Sequence, residues 1–262
     1  MSGGFRSRGR VILGLAATYV LVALGAHLLS RSLMFPRPPV TYDLTPEYAR
    51  LTTPDGVTLA ARYWPCPGAR FTILYLHGNF EELGRIGGFA SQCVAHGYAF
   101  FAFDYRGYGR SGGEPNEKNV CADTRLAYRY LVHTLKVPAS RVVLFGYSLG
   151  GGPAVELGLH EPVAGVILES AFTSAYRVMT RWPLLPGDKF VNLAKVPRLR
   201  VPVLVLHGTA DATIAPWHGE ALYEAVTSRK MKLFIPGGEH GGLAETAGPV
   251  YWTTLQEFTD SL

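Results

Sequence analysis

One pentapeptide in this chain has the form of a nucleophile turn. Ser148 stands at the centre of Gly146-Tyr147-Ser148-Leu149-Gly150, directly after the apolar run RVVLF and directly before the helix-like stretch GGPAVELGL. Flanking glycines permit a sharp strand-to-helix turn that holds its central residue strained and pointing outward. Backbone N–H groups at the start of a helix also favour developing negative charge. We therefore predict that Ser148 is a nucleophile, against the alternative of an ordinary glycine-rich turn.

A serine hydroxyl needs a neighbouring general base at neutral pH, and the chain has eight histidines. His240 lies in the glycine-rich loop PGGEHGG, just after the last apolar run, from which an imidazole can reach over a sheet edge. His77 and His207 each precede a glycine at the end of a run, which indicates a role in shaping loops. Weaker candidates at predicted helix ends are His96, His133, His160 and His218. We predict His240 as the base.

The third member of such a group is an acid that holds the imidazole in the correct tautomer. Asp211 follows the run PVLVLHG within HGTAD and gives the order Ser, Asp, His along the chain. Glu169 ends the run VAGVILE and is a rival, since an acid at that strand end could also reach the histidine. Asp104 is a weaker rival, because Arg106 after it suggests an aspartate that braces its own loop. We predict Asp211 and keep both alternatives.

Acyl transfer at a serine also needs two backbone donors aimed at the oxyanion. One is predicted to be the N–H of Leu149, the residue after the nucleophile. The other is predicted to be the N–H of Asn79 in the loop HGNF, with Phe80 one residue away as the alternative. Gly78 would let this loop approach a ligand closely, although an ordinary turn after a strand would have the same kind of sequence.

Short apolar runs alternate with helix-like stretches through the rest of the chain. Continuous apolar runs suit strands buried on both faces, and this alternation predicts an α/β fold with a mainly parallel sheet, whose strand ends carry the active site. Asp55-Gly56 predicts a hairpin before it. The predicted strands are 71–76, 98–104, 141–146, 163–169, 202–208 and 232–237, and the predicted helices are 84–96, 118–135, 149–160, 217–228 and 248–261.

An apolar segment, residues 11–29, precedes this fold and contains no Asp, Glu, Lys or Arg. As a helix it would be about 28 Å long, close to the roughly 30 Å of bilayer hydrocarbon. We predict one transmembrane signal anchor, with a cleaved signal peptide (cleavage near Ala23-Leu24-Gly25) or a buried or interfacial helix as alternatives. The predicted organisation is a basic segment 1–10, the anchor 11–29, a proline-rich linker 30–46 and a catalytic domain 47–262.

The arginines around this segment indicate its orientation. Arg6, Arg8 and Arg10 precede it, and Arg31 and Arg37 follow it. The excess on the N-terminal side favours an N-terminus in the cytoplasm and a catalytic body across the membrane.

Composition excludes other classes of function. The 262 residues carry a net charge of +5, but the basic residues of the body are scattered, so we expect no nucleic-acid partner. Cys66, Cys93 and Cys121 lack metal-ligand spacing, so we expect no metal site, and the sequence leaves a disulfide among them open. The oligomeric state is also left open.

Five motifs in order give the chain a specific resemblance. HGN at 77–79, FDYRGYGRSGG at 103–113, GYSLGG at 146–151, PVLVLHGTAD at 202–211 and GGEHGG at 237–242 resemble the α/β-hydrolase superfamily, most of all its small membrane-anchored abhydrolase-domain branch. The resemblance covers about residues 45–262. It implies cofactor-free hydrolysis of carboxylic esters, thioesters or sometimes amides, with Ser148, Asp211 and His240 as the triad and Asn79 and Leu149 as oxyanion donors. The run ATIAP departs from the valine-containing pattern usual after the acid.

A short segment between two predicted strands, residues 173–201, is predicted to form a lid. Its apolar side chains Met179, Trp182, Leu184, Leu185 and Phe190 either line an acyl-chain pocket or pack the lid onto the sheet. Together with the anchor, this predicts a hydrolase of acyl lipids or acylated proteins. The alternatives are a serine aminopeptidase, which usually carries a larger cap, and a non-catalytic binding protein with the same fold.

Overall fold

The computed structural model describes residues 3–262, with side chains from Val11 onward. Its centre is one eight-stranded sheet. Apolar runs without polar alternation form its middle strands, which are buried on both faces. The strands are β1 (Tyr48–Thr52), β2 (Thr58–Trp64), β3 (Thr72–Leu76), β4 (Ala99–Phe103), β5 (Val142–Tyr147), β6 (Gly165–Glu169), β7 (Val203–Gly208) and β8 (Lys230–Ile235).

The strand order is β1-β2-β4-β3-β5-β6-β7-β8, and every pair from β4 to β8 is parallel. Strands β1 and β2 form an antiparallel hairpin, as Asp55-Gly56 predicted, with Gly56 at φ +80°. The predicted mainly parallel sheet is thereby confirmed. All strand ends that carry predicted site residues lie at the same edge, because parallel strands share their direction.

Helices cover both faces of the sheet. Leu74 and Leu76 of β3 belong to a core on one face of the sheet, whereas Ile73 and Tyr75 belong to a second core on the other face. This division follows from the two-residue period of a strand. The helices are α1 (Gly3–Met34), α2 (Gly87–Ala95), α3 (Glu117–Arg129), α4 (Gly151–His160), α5 (Asn192–Lys195), α6 (Trp217–Ala225), α7 (Leu243–Ala247) and α8 (Pro249–Asp260).

Two helices differ in detail from the predicted pattern. The predicted helix 118–135 is α3 followed by a π-helical turn, Tyr130–Thr134. The predicted helix 248–261 is preceded by the short helix α7, and the two are separated at Gly248, whose φ of +54° is incompatible with a continuous helix.

Helix α1 is longer than the predicted span 11–29 and ends at Met34, just before Pro36, which cannot continue a helix. Residues 30–34 of the predicted linker are therefore helical. The side chains of Arg6, Arg8 and Arg10, on which the predicted orientation depends, lie outside the described residues. The section from Val11 to Met34 has the length and composition of a membrane-crossing helix, and the mean hydropathy of its most apolar window is 2.1.

The end of α1 and the proline-rich stretch after it are attached to the body by hydrogen bonds. The Tyr42 hydroxyl donates to Asp104 Oδ2 at 2.5 Å, and Arg31 Nε donates to the Pro115 carbonyl at 3.0 Å. Arg31 and Arg37 also form ion pairs with Glu114. These contacts fix the end of α1 against the body.

Candidate active site

The turn that carries Ser148 has the geometry predicted from its glycines. Strand β5 ends at Tyr147, and Ser148 follows at φ +51°, in the left-handed region that most side chains avoid. A single 3₁₀ turn, Ser148–Gly150, leads into α4. A Cβ on Gly150 would lie 1.8 Å from the Leu76 carbonyl oxygen, so only glycine allows this close approach to β3.

Ser148, His240 and Asp211 lie in hydrogen-bonding contact although they are far apart in the chain. His240 Nε2 is 3.0 Å from Ser148 Oγ, and His240 Nδ1 is 2.8 Å from Asp211 Oδ2. With the proton on Nδ1, the imidazole donates to the carboxylate and accepts from the serine hydroxyl. This tautomer leaves Nε2 free to receive the serine proton.

Asp211 is held as a carboxylate by several donors. Its other oxygen, Oδ1, accepts the N–H groups of Thr213 at 2.9 Å and Ile214 at 2.8 Å. Burial alone would raise the pKa of this carboxyl. Contacts from His207 and His240 and the Ile214 N–H outweigh burial and hold the pKa below its ordinary value.

Neither rival acid contacts His240. Glu169 lies at the end of β6 with Oε2 accepting from the Tyr251 hydroxyl at 2.6 Å, and burial raises its pKa to about 7. Asp104 accepts the Leu83 N–H at 2.8 Å as well as the Tyr42 hydroxyl, and burial raises its pKa to about 7. Asp104 thus braces the loops around it, whereas Arg106 pairs with Asp123 and Asp55 instead.

The two predicted oxyanion donors lie beside the serine. Asn79, Ser148 and Leu149 line one cavity of about 250 Å³, the catalytic cavity. Within residues 3–262, neither the Asn79 N–H nor the Phe80 N–H has a protein acceptor, so both alternatives of the second donor stay open. The neighbouring Gly78 N–H is engaged by Glu81 Oε2 at 2.8 Å.

The rest of the catalytic cavity differs from the sequence expectation. Of the five apolar residues named in segment 173–201, Met179 lines it, whereas Phe190 is fully buried and Trp182 and Leu184 are exposed. The end of α1 contributes two further side chains that sequence reasoning missed. The remaining lining residues are Leu33, Met34, Phe172, Ala175, Val178, Thr213 and Ile214.

Two contacts that support the acid and the base were not predicted from the sequence. His207 Nε2 donates to the Ile214 carbonyl at 2.8 Å and lies 3.4 Å from Asp211 Oδ2, so this histidine also supports the acid. The Ser170 hydroxyl donates to the His240 carbonyl at 2.9 Å from a residue at φ +48°. The only sequence signal for either was its place at the end of a strand.

The other residues considered for chemistry, which are the potential metal ligands, the cysteines and His218, do not form a second site. Over residues 3–262, no group of three or more His, Cys, Asp and Glu side chains has the arrangement of a metal site. Cys66, Cys93 and Cys121 are free thiols, which settles the disulfide question that the sequence left open. His218 faces the lid segment instead of the serine, with its Nδ1 accepting the Thr173 N–H at 3.1 Å.

Comparison with known proteins identifies the family. The family model described as "Serine aminopeptidase, S33" matches residues 67–193, a stretch that includes Ser148 but neither Asp211 nor His240. The chain is 36% identical to alpha/beta hydrolase domain-containing protein aho-3 of Caenorhabditis elegans over 75% of its length and 59% of the relative. It is 34% identical to alpha/beta hydrolase domain-containing protein 17B of Homo sapiens, over 72% of this chain and 67% of that one.

Solved structures share the fold. A Pyrococcus furiosus esterase superposes with a TM-score of 0.71 at 17% identity, over 86% of this chain and 96% of that one. An esterase from Rhodococcus does so with a TM-score of 0.64 at 19% identity, over 82% and 99%. The predicted α/β-hydrolase fold is confirmed. The chain spans about three fifths to two thirds of the curated relatives it matches. It belongs to the α/β-hydrolase superfamily, in the abhydrolase-domain branch.

Proposed function

We propose that this chain is a membrane-anchored serine hydrolase that cleaves carboxylic esters or thioesters of acyl-bearing substrates through an acyl-enzyme. Membership of a hydrolase superfamily supports the coarse activity. The observation that carries the finer proposal is the pair of contacts at His240, 3.0 Å to Ser148 Oγ and 2.8 Å to Asp211 Oδ2.

In the proposed mechanism, Ser148 Oγ attacks the substrate carbonyl carbon while its proton passes to His240 Nε2. Asp211 stabilises the resulting imidazolium. The oxyanion receives the N–H groups of Leu149 and Asn79, each donor contributing about 10²- to 10³-fold in rate. As the tetrahedral intermediate collapses, Nε2–H protonates the departing alkoxide or thiolate. A water then attacks the acyl-enzyme, giving its proton to Nε2, and the carboxylic acid leaves as Ser148 recovers its hydrogen.

The lining of the catalytic cavity favours an acyl group over an amino terminus. Apart from Asn79, Ser148 and Thr213, the side chains that line it are apolar, and its described lining contains no carboxylate to pair with a free ammonium. This argues against the aminopeptidase alternative, which the description of the family model otherwise favours. A cavity of about 250 Å³ lies just below the roughly 300–1,000 Å³ usual for drug-sized ligands, a size suited to an acyl chain.

Helix α1 is the proposed anchor. Its section Val11–Met34 has 24 residues, about 36 Å of helix, and none of its most apolar window is buried in the protein. This is enough to cross about 30 Å of hydrocarbon with some tilt. The excess of arginines before the span supports an N-terminus in the cytoplasm and a catalytic body on the far side.

The experiment that tests the proposal is labelling by a fluorophosphonate probe, which reacts with an activated serine. We expect the wild-type chain to be labelled and Ser148→Ala to be unlabelled. Ser91→Ala is the matched control, because Ser91 is exposed on α2 and its hydroxyl donates only to the Gly87 carbonyl of the same helix. A folded wild-type chain that takes no label would instead favour the non-catalytic binding protein. Hydrolysis of p-nitrophenyl esters of rising chain length, beside lysophospholipids and an amino-acid amide, then separates the substrate classes.

A further inference from the structure

The lid segment, residues 173–201, runs along α1 over much of the membrane-crossing section. At one end, the Phe190 and Phe35 rings are 6.5 Å apart, edge to face. At the other end, the Tyr19 hydroxyl donates to the Leu184 carbonyl at 3.0 Å. About 24 Å of helix separates Tyr19 from Phe35 at 1.5 Å per residue. A bilayer that surrounds α1 must therefore also meet the outer part of this segment.

That outer part, the lid tip (residues 179–186), presents apolar side chains to its surroundings. Met179 is 84% exposed, Trp182 66% and Leu184 57%. Burying side chains of this size away from water is favourable, so leaving them exposed to water is costly. A cluster of them beside an unburied apolar helix forms a continuous apolar surface, which marks an interaction site.

Two arginines of the same segment, Arg177 and the exposed Arg181, lie against the body. The guanidinium groups of Arg177 and Arg181 lie over the Trp217 ring of the body, at 5.0 and 5.8 Å from its centroid. The segment therefore separates an apolar outer side from a cationic inner side. A lipid surface fits the apolar outer side, with the hydrocarbon against Trp182 and Leu184.

Several backbone groups of the lid tip have hydrogen-bond partners within the protein. The Leu184 N–H donates to the Trp182 carbonyl at 2.8 Å, and that carbonyl also accepts the Thr180 hydroxyl at 3.0 Å. Pro183 and Pro186 have no N–H to satisfy. The Leu184 carbonyl is satisfied by α1 itself. Unpaired backbone groups are what exclude most loops from lipid, and here these partners reduce that cost.

The catalytic cavity opens between the same two elements. Leu33 and Met34 line it from α1, Met179 lines it from the lid tip, and Ser148 lines the same cavity. An acyl chain in the adjoining leaflet thus meets an apolar passage that leads to the serine.

We infer that the lid tip is a second membrane-inserted element, and that the acyl chain of the substrate passes from the lipid leaflet, between the lid tip and α1, to Ser148. This inference rests on the proposed function for the identity of the reacting group. The insertion of the lid tip depends only on the surface of the molecule and can be measured separately.

Insertion is tested by tryptophan quenching with the full chain in phosphatidylcholine vesicles whose acyl chains carry bromine. The protein has four tryptophans, of which Trp182 is in the lid tip. We expect brominated lipid to quench the wild type more than Trp182→Phe, with the Trp182 emission reduced about twofold or more by the brominated acyl chains around it. Trp252→Phe is the matched control, because Trp252 stacks on His96 in the body. Equal quenching of wild type and Trp182→Phe would overturn the inference.

The route to the serine is tested with two substrates, a water-soluble p-nitrophenyl acetate and a long-chain ester embedded in vesicles. For the double variant Trp182→Ser, Leu184→Ser we expect the ratio of vesicle to soluble activity to fall about tenfold, which corresponds to about 1.4 kcal/mol of lost lipid contact. Val250→Ser, at an equally exposed apolar residue of α8, should keep the wild-type ratio. An unchanged ratio in the double variant would contradict the proposed route.

The outcomes separate this inference from the proposed function. A wild-type chain that hydrolyses neither substrate and takes no fluorophosphonate would refute the hydrolase, while quenching of Trp182 would still establish insertion. Conversely, a labelled and active chain whose Trp182 is untouched by lipid would refute insertion alone. If the double variant then changed the oligomeric state, the apolar surface would be a contact between copies of this chain.

Discussion

The buried carboxyl of Glu169 gives the sharpest test of how the candidate site is assembled. It lies at the end of β6, 7% exposed, and its one strong partner is the Tyr251 hydroxyl at 2.6 Å. Burial raises its pKa from 4.5 to about 7. We predict that Glu169→Gln removes a pH dependence of stability while sparing catalysis.

The sign follows from proton binding. Between pH 4.5 and 7 the folded carboxyl keeps a proton that the unfolded chain has released. The folded state therefore binds more protons, and the free energy of unfolding falls as the pH rises through this window. At 1.36 kcal/mol for each factor of ten in the acid dissociation constant, the fall amounts to about 3 kcal/mol above pH 7. Glutamine cannot ionise and can still accept from Tyr251.

Urea unfolding of the full chain in non-ionic detergent, followed by tryptophan fluorescence at pH 5 and pH 8, measures this effect. Because part of the fall has already occurred at pH 5, we expect Glu169→Gln to gain about 2.5 kcal/mol relative to wild type between the two values. Asp104, whose pKa burial also raises to about 7, is present in both proteins and cancels in the difference. A difference between the two proteins that is the same at both pH values would refute the reasoning.

Two further predictions concern the acid and the nucleophile turn. Asp211→Asn should lower kcat on p-nitrophenyl butyrate by about 10⁴-fold, because an amide does not hold the imidazole in the Nδ1–H tautomer, whereas Glu169→Gln should stay within a few-fold of wild type. The reverse pattern would make Glu169 the acid. Gly150→Ala should lower the free energy of unfolding by about 3 kcal/mol or more, since its Cβ would lie 1.8 Å from the Leu76 carbonyl oxygen and both partners are backbone. Urea unfolding at neutral pH measures this, and wild-type stability would show that the turn relaxes.

Local patterns were enough to predict the fold, because they depend on neighbours in the chain. Continuous apolar runs predicted strands β3–β8, and Asp55-Gly56 predicted the hairpin before them. The end of α1 could also have been found, since nothing between Ser30 and Phe35 stops a helix and Pro36 does. The separation of α7 from α8 was missed because the sequence does not show that Gly248 has a positive φ.

Short stretches of sequence could not show which residues far apart in the chain are in contact. The sequence left Asp211, Glu169 and Asp104 as candidate acids, each at the end of a strand. The sheet order decides among their contacts, because it directs Asp211 toward His240 and Glu169 toward Tyr251.

The sequence alone determined the superfamily, the sheet and the residue types available for chemistry, since motifs and periodicity are properties of short stretches. The tertiary structure decided which apolar groups meet the serine. Leu33 and Met34 line the catalytic cavity from a helix more than a hundred residues away in the chain, while Phe190 is buried in the core and Trp182 faces outward. Apolar side chains share one preference for burial, and only packing in three dimensions determines where each is buried.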